Sequence, residues 1–171
     1  GLFPSLKTLL TNRLDRFSEC LESTGQDMDG GGVDPADLVR VFLFSDFVAD
    51  CLARDPGIFH DLSSSGDLAA IRKPEWFPDR AAQVTAGADA EQARKLLMDF
   101  KRREIIRIAW RDLTGNADLF ETLSDLSHLA MACISRALDL LYDKMCTTHG
   151  TPMDRHGHTQ QMVILGMGKL G

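Results

Sequence analysis

The residues best suited to chemistry stand together in Gly166-Met167-Gly168-Lys169-Leu170-Gly171. Glycines allow backbone N–H groups to approach a phosphate closely, and Gly166, Gly168 and Gly171 match the G-x-G-x-x-G spacing of a dinucleotide loop. Lys169 adds a cation beside them. It is followed by Leu170 rather than Ser or Thr, so the run is not a Walker A loop. The helix and the acidic residue that complete the dinucleotide fingerprint would fall past Gly171. On pattern alone, phosphate or nucleotide binding stands beside a plain strand-to-helix turn.

A second candidate is basic. Arg103, Arg107 and Arg111 recur at helical spacing and share one face, where guanidinium groups can receive a phosphate or an acidic partner surface. Ion pairing with the nearby acids Asp99, Glu104 and Asp112 is the competing reading. His149, His156 and His158 lie near Cys146, but their spacing fits no standard zinc pattern. No serine sits on a nucleophile elbow, and most carboxylates fall on polar helix faces. No catalytic residue and no metal ligand is therefore assigned.

These groups need helices to position them. Leu6 to Glu22 carries Leu6, Leu9, Leu10, Leu14, Phe17 and Leu21 in a one-sided stripe, which predicts an amphipathic helix ending at Ser23-Thr24-Gly25. Asp34 before Pro35 predicts an N-cap and a helix start. Val41-Phe42-Leu43-Phe44 is apolar on all sides and is expected to be buried. Ser45 reads as a fresh N-cap for a short helix from Asp46 to Arg54. Ser63-Ser64-Ser65-Gly66 marks a loop, and Pro74 and Pro78 bracket a stretch read as irregular. Asp89 to Asp112 is helical again. Its apolar residues point in several directions, so it should be enclosed by neighbours. Asp118 with Glu121 resembles a capping box opening the longest helix, closed by His149 and Gly150.

The pattern then changes. Thr151 to Thr159 reads as a turn or linker, and Met162-Val163-Ile164-Leu165 as a short strand before the glycine loop. The expected fold is therefore an all-α, irregular multi-helix module over residues 1–150. Residues 151–171 would add a linker, the first strand and the glycine loop of an incomplete α/β domain. That strand lacks its sheet here, so it is expected to be disordered, to dock as an extended tail, or to pair with another copy.

Composition narrows the possible roles. The 171 residues carry 19 basic and 25 acidic side chains, net −6, which argues against nucleic-acid binding as the main role. No apolar run reaches the length of a membrane span, and the start lacks a basic n-region with a cleavage site. Cys20, Cys51, Cys133 and Cys146 form no C-x-x-C pair and read as free thiols in a reducing, cytoplasmic setting.

A larger constellation gives these pieces a common context. In order, the chain carries Ser45-Asp46-Phe47-Val48-Ala49, Arg54-Asp55-Pro56, Arg102-Arg103-Glu104, Arg107 to Leu113, Gly150-Thr151-Pro152 and Leu165 to Gly171. From Val41 onward this resembles the N-terminal, adenylyl-removing half of bacterial glutamine-synthetase adenylyltransferases. The resemblance implies a nucleotidyltransferase domain set among helices. One half of such an enzyme transfers AMP from ATP to a tyrosine of glutamine synthetase; the other removes it by phosphorolysis, releasing ADP. Glutamine synthetase, the PII signal protein and ATP or ADP are the implied partners, and Mg²⁺ the implied cofactor. The family's h-G-[GS] motif maps onto Leu170 and Gly171, and the D-x-D pair that holds Mg²⁺ would lie further on. These 171 residues are therefore expected to bind no Mg²⁺ and to be inactive alone. Two readings compete: a helical interaction module without a catalytic role, and the start of a dinucleotide-binding domain.

Overall fold

The computed structural model describes residues 4–24 and 32–166. Among the described residues seven helices follow one another: α1 (Pro4–Thr24), α2 (Pro35–Phe44), α3 (Asp46–Arg54), α4 (Gly57–Ser64), α5 (Trp76–Val84), α6 (Ala90–Thr114) and α7 (Leu119–His149). The architecture of the described residues is all-helical, as expected. None of these helices is long and apolar enough to cross a membrane. The chain divides into two compact units. The first joins residues 1–71 to 105–122, and the second joins 72–104 to 123–171.

Local chemistry sets the boundaries. The Asp34 carboxylate accepts from the Ala36 N–H at 2.8 Å and caps α2, while Pro35 occupies a first-turn position whose N–H would be unpaired anyway. Ser45 serves two helices. Its N–H closes α2 on the Val41 carbonyl at 2.9 Å, and its hydroxyl caps α3 by accepting from the Val48 N–H at 3.2 Å. One residue in extended conformation thus makes the corner. Arg13 of α1 braces it by donating to the Phe42 carbonyl at 2.7 Å and pairing with Asp46. That carbonyl belongs to the last turn of α2, where no intrahelical donor follows.

The first unit is built on aromatic contacts. Phe42, Phe17, Phe59 and Trp110 touch in sequence, with ring centroids 5.2, 5.7 and 5.5 Å apart. Val41, Val48, Leu52, Leu62 and Ile106 fill the space around them. The second unit has its own core from Phe77 and Ala81 of α5, Ala93, Leu97 and Phe100 of α6, and Leu129 and Ala132 of α7. Arg136 donates to the buried Thr85 hydroxyl at 2.7 Å, and that hydroxyl donates to the Ala81 carbonyl at 2.8 Å. The C-terminal end of α5 is tied to α7 in this way.

Four expectations change. The loop read at Ser63 to Gly66 starts later than expected, because a helix, α4, runs on to Ser64 with Phe59, Leu62 and Ser63 buried. Residues around Pro78 are not irregular. Pro78 lies in the first turn of α5, where a missing N–H breaks no intrahelical bond. Phe44 is 69% exposed rather than buried, at the last position of α2 before the corner at Ser45. Residues 162–165 form no strand. They are exposed and carry no regular secondary structure, and no neighbouring strand among the described residues offers the ladder hydrogen bonds a strand requires. The nearest regular feature is one antiparallel bridge between Met153 and Thr159.

These differences predict a contrast between adjacent phenylalanines. Phe42→Ala should lower unfolding stability by about 3–5 kcal/mol, the usual range for emptying a buried aromatic site. Phe44→Ala should stay within about 0.5 kcal/mol of the parent. Urea denaturation followed by circular dichroism measures both, and equal losses would contradict the corner at Ser45.

Candidate functional site

The arginines of α6 have distinct surroundings. Arg111 is 2% exposed, so its charge is held almost entirely by protein atoms. It donates to the Leu68 carbonyl at 3.3 Å and to the Asn116 carbonyl at 3.0 Å, and it pairs with the Glu121 carboxylate at 2.8 Å. Arg107 is fully buried and donates to the Ala70 carbonyl at 3.2 Å. Both guanidinium groups therefore hold the irregular segment after α4 against α6. Arg103 keeps 23% of its side chain exposed and pairs with Glu104, whose own side chain is fully buried, at 2.8 Å. Arg102 pairs with Asp99 at 3.5 Å. The shared helix face foreseen for Arg103, Arg107 and Arg111 thus carries buried and half-buried ion pairs, and Arg111 takes Glu121 as its acid.

Sequence reasoning missed that partner, although a signal was present. The cap at Asp118 accepts the Glu121 N–H at 2.8 Å, as a capping box would. The Glu121 side chain meanwhile reaches Arg111, because the break at Gly115, with φ +77°, turns the start of α7 back toward the end of α6. The same reversal gives the Asn116 and Ala117 N–H groups the Arg111 carbonyl, at 2.8 and 3.1 Å.

The glycine-loop candidates are only partly described. Gly166 is exposed and lies outside any helix or strand, whereas Gly168, Lys169 and Gly171 lie outside the described residues. Before them, the stretch after α7 folds back on itself. The Asp154 carboxylate accepts from the His156 and His158 N–H groups at 2.8 and 2.9 Å, with Gly157 at φ +82°. Tyr142 of α7 donates its hydroxyl to the Gln160 carbonyl at 2.9 Å. Among the described residues, no group of three or more His, Cys, Asp or Glu side chains could hold a metal ion. The four cysteines are half-buried, and burial pushes the Cys133 thiol up.

Two outcomes follow from this geometry. Arg111→Met leaves Glu121 and two carbonyls without their donor, and should destabilise the chain by about 3–5 kcal/mol. Arg111→Lys should recover only part of the loss, since one ammonium cannot span three acceptors in a fixed fork. Chemical denaturation of both variants tests this, and full rescue by lysine would contradict it. The second outcome concerns pH. The His158 and His156 N–H groups hold the Asp154 carboxyl below its ordinary value. The turn is therefore most stable above the unfolded aspartate value, about 3.9, and loses that contribution as pH falls through the lower folded value. Amide signals of His156 and His158 followed by NMR should move together on acidification in that range.

With this geometry in hand, comparison with known proteins places the chain. Residues 35–171 match the family described as glutamate-ammonia ligase adenylyltransferase. Three curated relatives carry the name bifunctional glutamine synthetase adenylyltransferase/adenylyl-removing enzyme. The protein of Shewanella loihica is 43% identical over 136 residues, 79% of this chain and 14% of its own length. That of Thioalkalivibrio sulfidiphilus is 39% identical over 171 residues, 98% of this chain and 17% of its own. That of Pseudomonas aeruginosa is 42% identical over 137 residues, 79% and 14%. The chain spans less than a fifth of the length of these relatives. On the strength of the family match, the chain belongs to the glutamate-ammonia ligase adenylyltransferase family.

Proposed function

We propose that these helices are the scaffold of an enzyme that controls glutamine synthetase by adding and removing AMP, and that they serve the removing half. The family match over residues 35–171 carries this reading. The reaction proposed is phosphorolysis. An oxygen of inorganic phosphate attacks the phosphorus of the tyrosine-bound AMP, the bond from that phosphorus to the tyrosine oxygen breaks, ADP leaves, and the tyrosine oxygen takes a proton.

In this reading the chain's own residues position rather than react. The buried Arg107 and Arg111 lock the segment after α4 to α6. The Tyr142 hydroxyl fixes Gln160, a few residues before the glycine run. Gly166, Gly168 and Gly171 would offer backbone N–H groups to the nucleotide phosphates, with Lys169 as a cation nearby. Mg²⁺ would supply charge neutralisation at the transferring phosphorus when bound. The described residues do not fit that ion, since no cluster of carboxylate, imidazole or thiolate groups is assembled. ATP or ADP, glutamine synthetase and the PII protein enter as partners of the full-length enzyme, in the cytoplasm.

The expected outcome is a separation of activities. Incubated with adenylylated glutamine synthetase, phosphate and Mg²⁺, the 171-residue chain should release no ADP above background. The full-length protein carrying it should release ADP stoichiometric with restored tyrosine. ADP from the chain alone would overturn its inactivity, and none from the full-length protein would overturn the enzymatic reading.

A further inference from the structure

The second unit carries a groove that this function does not use. It runs between the N-terminal part of α6 and the C-terminal part of α7, with a volume of about 430 Å³. Leu97, Met98, Ile134, Ala137 and Leu141 line it. Met98 is 50% and Leu141 56% exposed, so the groove is an open trough rather than an enclosed cavity. It extends from Ala90 to Lys101, about 16 Å at the helical rise, which is three turns.

Charge marks the two ends of the trough. Lys101 lines the trough at the end of its α6 wall away from Ala90, and Lys144 of α7 lines it beside Ala90 and Glu91. Arg94, also on the rim, is occupied by Glu91 at 2.6 Å. Three cations and one carboxylate line the trough, and Asp89 adjoins its Lys144 end, in a chain whose net charge is −6. A long apolar floor with a cation near each end suits a ligand that presents apolar groups over three turns and negative charge at both ends.

We propose that this groove docks an amphipathic helix whose apolar stripe is flanked by carboxylates in its first and last turns. A helix laid in a groove uses anchors at i, i+3, i+4 and i+7, which span the observed length. Met98 adapts to such a surface because its unbranched side chain repacks readily. A single-headed anionic amphiphile would satisfy one lysine and leave the other facing its apolar chain. Small ligands also favour sites that enclose most of their surface, unlike this trough. The inference rests on the groove alone and is independent of the adenylyl-transfer reading.

The test uses the 171-residue chain and a fluorescein-labelled synthetic helix. The peptide has leucines at i, i+3, i+4 and i+7 and paired glutamates in its first and last turns. A control peptide carries lysines in place of the glutamates. Fluorescence anisotropy should show the acidic peptide binding, weakening with salt, and shielding Cys133 from iodoacetamide. Combining Lys101→Glu with Lys144→Glu should weaken it by about tenfold or more, because two exposed attractions become repulsions. Both positions are exposed, so the variant should keep the parent's helical circular dichroism. Ala137→Trp, which fills the trough, should abolish binding. The proposal is overturned if the lysine-flanked peptide binds equally well or the lysine reversals change nothing. It is also overturned if dodecanoate binds where the peptide does not, or if sedimentation shows a dimer that Ala137→Trp abolishes.

Discussion

A guanidinium taken out of water must keep its N–H groups bonded, or the charge destabilises the fold that buries it. Arg111 meets this condition with acceptors from three places: the carbonyls of Leu68 and Asn116 and the carboxylate of Glu121. Those acceptors lie after α4, after α6 and in the first turn of α7. None of the three segments can shift without leaving the charge unsatisfied. Arg107, one turn earlier, holds the Ala70 carbonyl and extends the same constraint along the segment. A stretch whose own backbone bonds are turn bonds is thereby fixed against a helix.

The apolar core supplies the bulk of the first unit's cohesion, but it has little directional preference. Phe17 meets Phe42 at a tilt of 56° and Phe59 edge-on at 89°. Such contacts tolerate small rotations. Directional bonds at the helix ends remove that freedom. Asp34, Ser45 and Arg13 fix where α2 stops and α3 begins. The second unit repeats this division of labour with Phe77 and Phe100 in its core and the Arg136–Thr85 hydrogen bond at the end of α5.

Features governed by neighbouring residues were legible in the sequence. Asp34-Pro35, Ser45 and Asp118 announced helix starts because a cap bonds within three residues of itself. The limits of α3 followed from Ser45 and Pro56. Features that depend on distant chain were not legible. Whether Phe44 is buried depends on what packs beside α2, and it faces solvent. Pro78 looked like a breaker because its tolerance depends on lying in a first turn. The apolar run 162–165 has the composition of a strand, yet a strand exists only with a partner. For the candidate site, the spacing of Arg103, Arg107 and Arg111 was readable, but their burial was not. Arginines spaced four apart look the same in sequence whether they face water or carbonyl oxygens.

The geometry meets in one claim: Arg107 and Arg111 of α6 are bonded to internal oxygens and hold the first unit together. The most direct test is NMR of the Arg107 and Arg111 Nε–H groups in the 171-residue chain during titration with ADP and with inorganic phosphate. Arginines bonded to internal oxygens should give signals protected from exchange, and both should keep their positions through saturating ligand. Saturable shifts of either signal would place the anion on these side chains and contradict the structural role assigned to them.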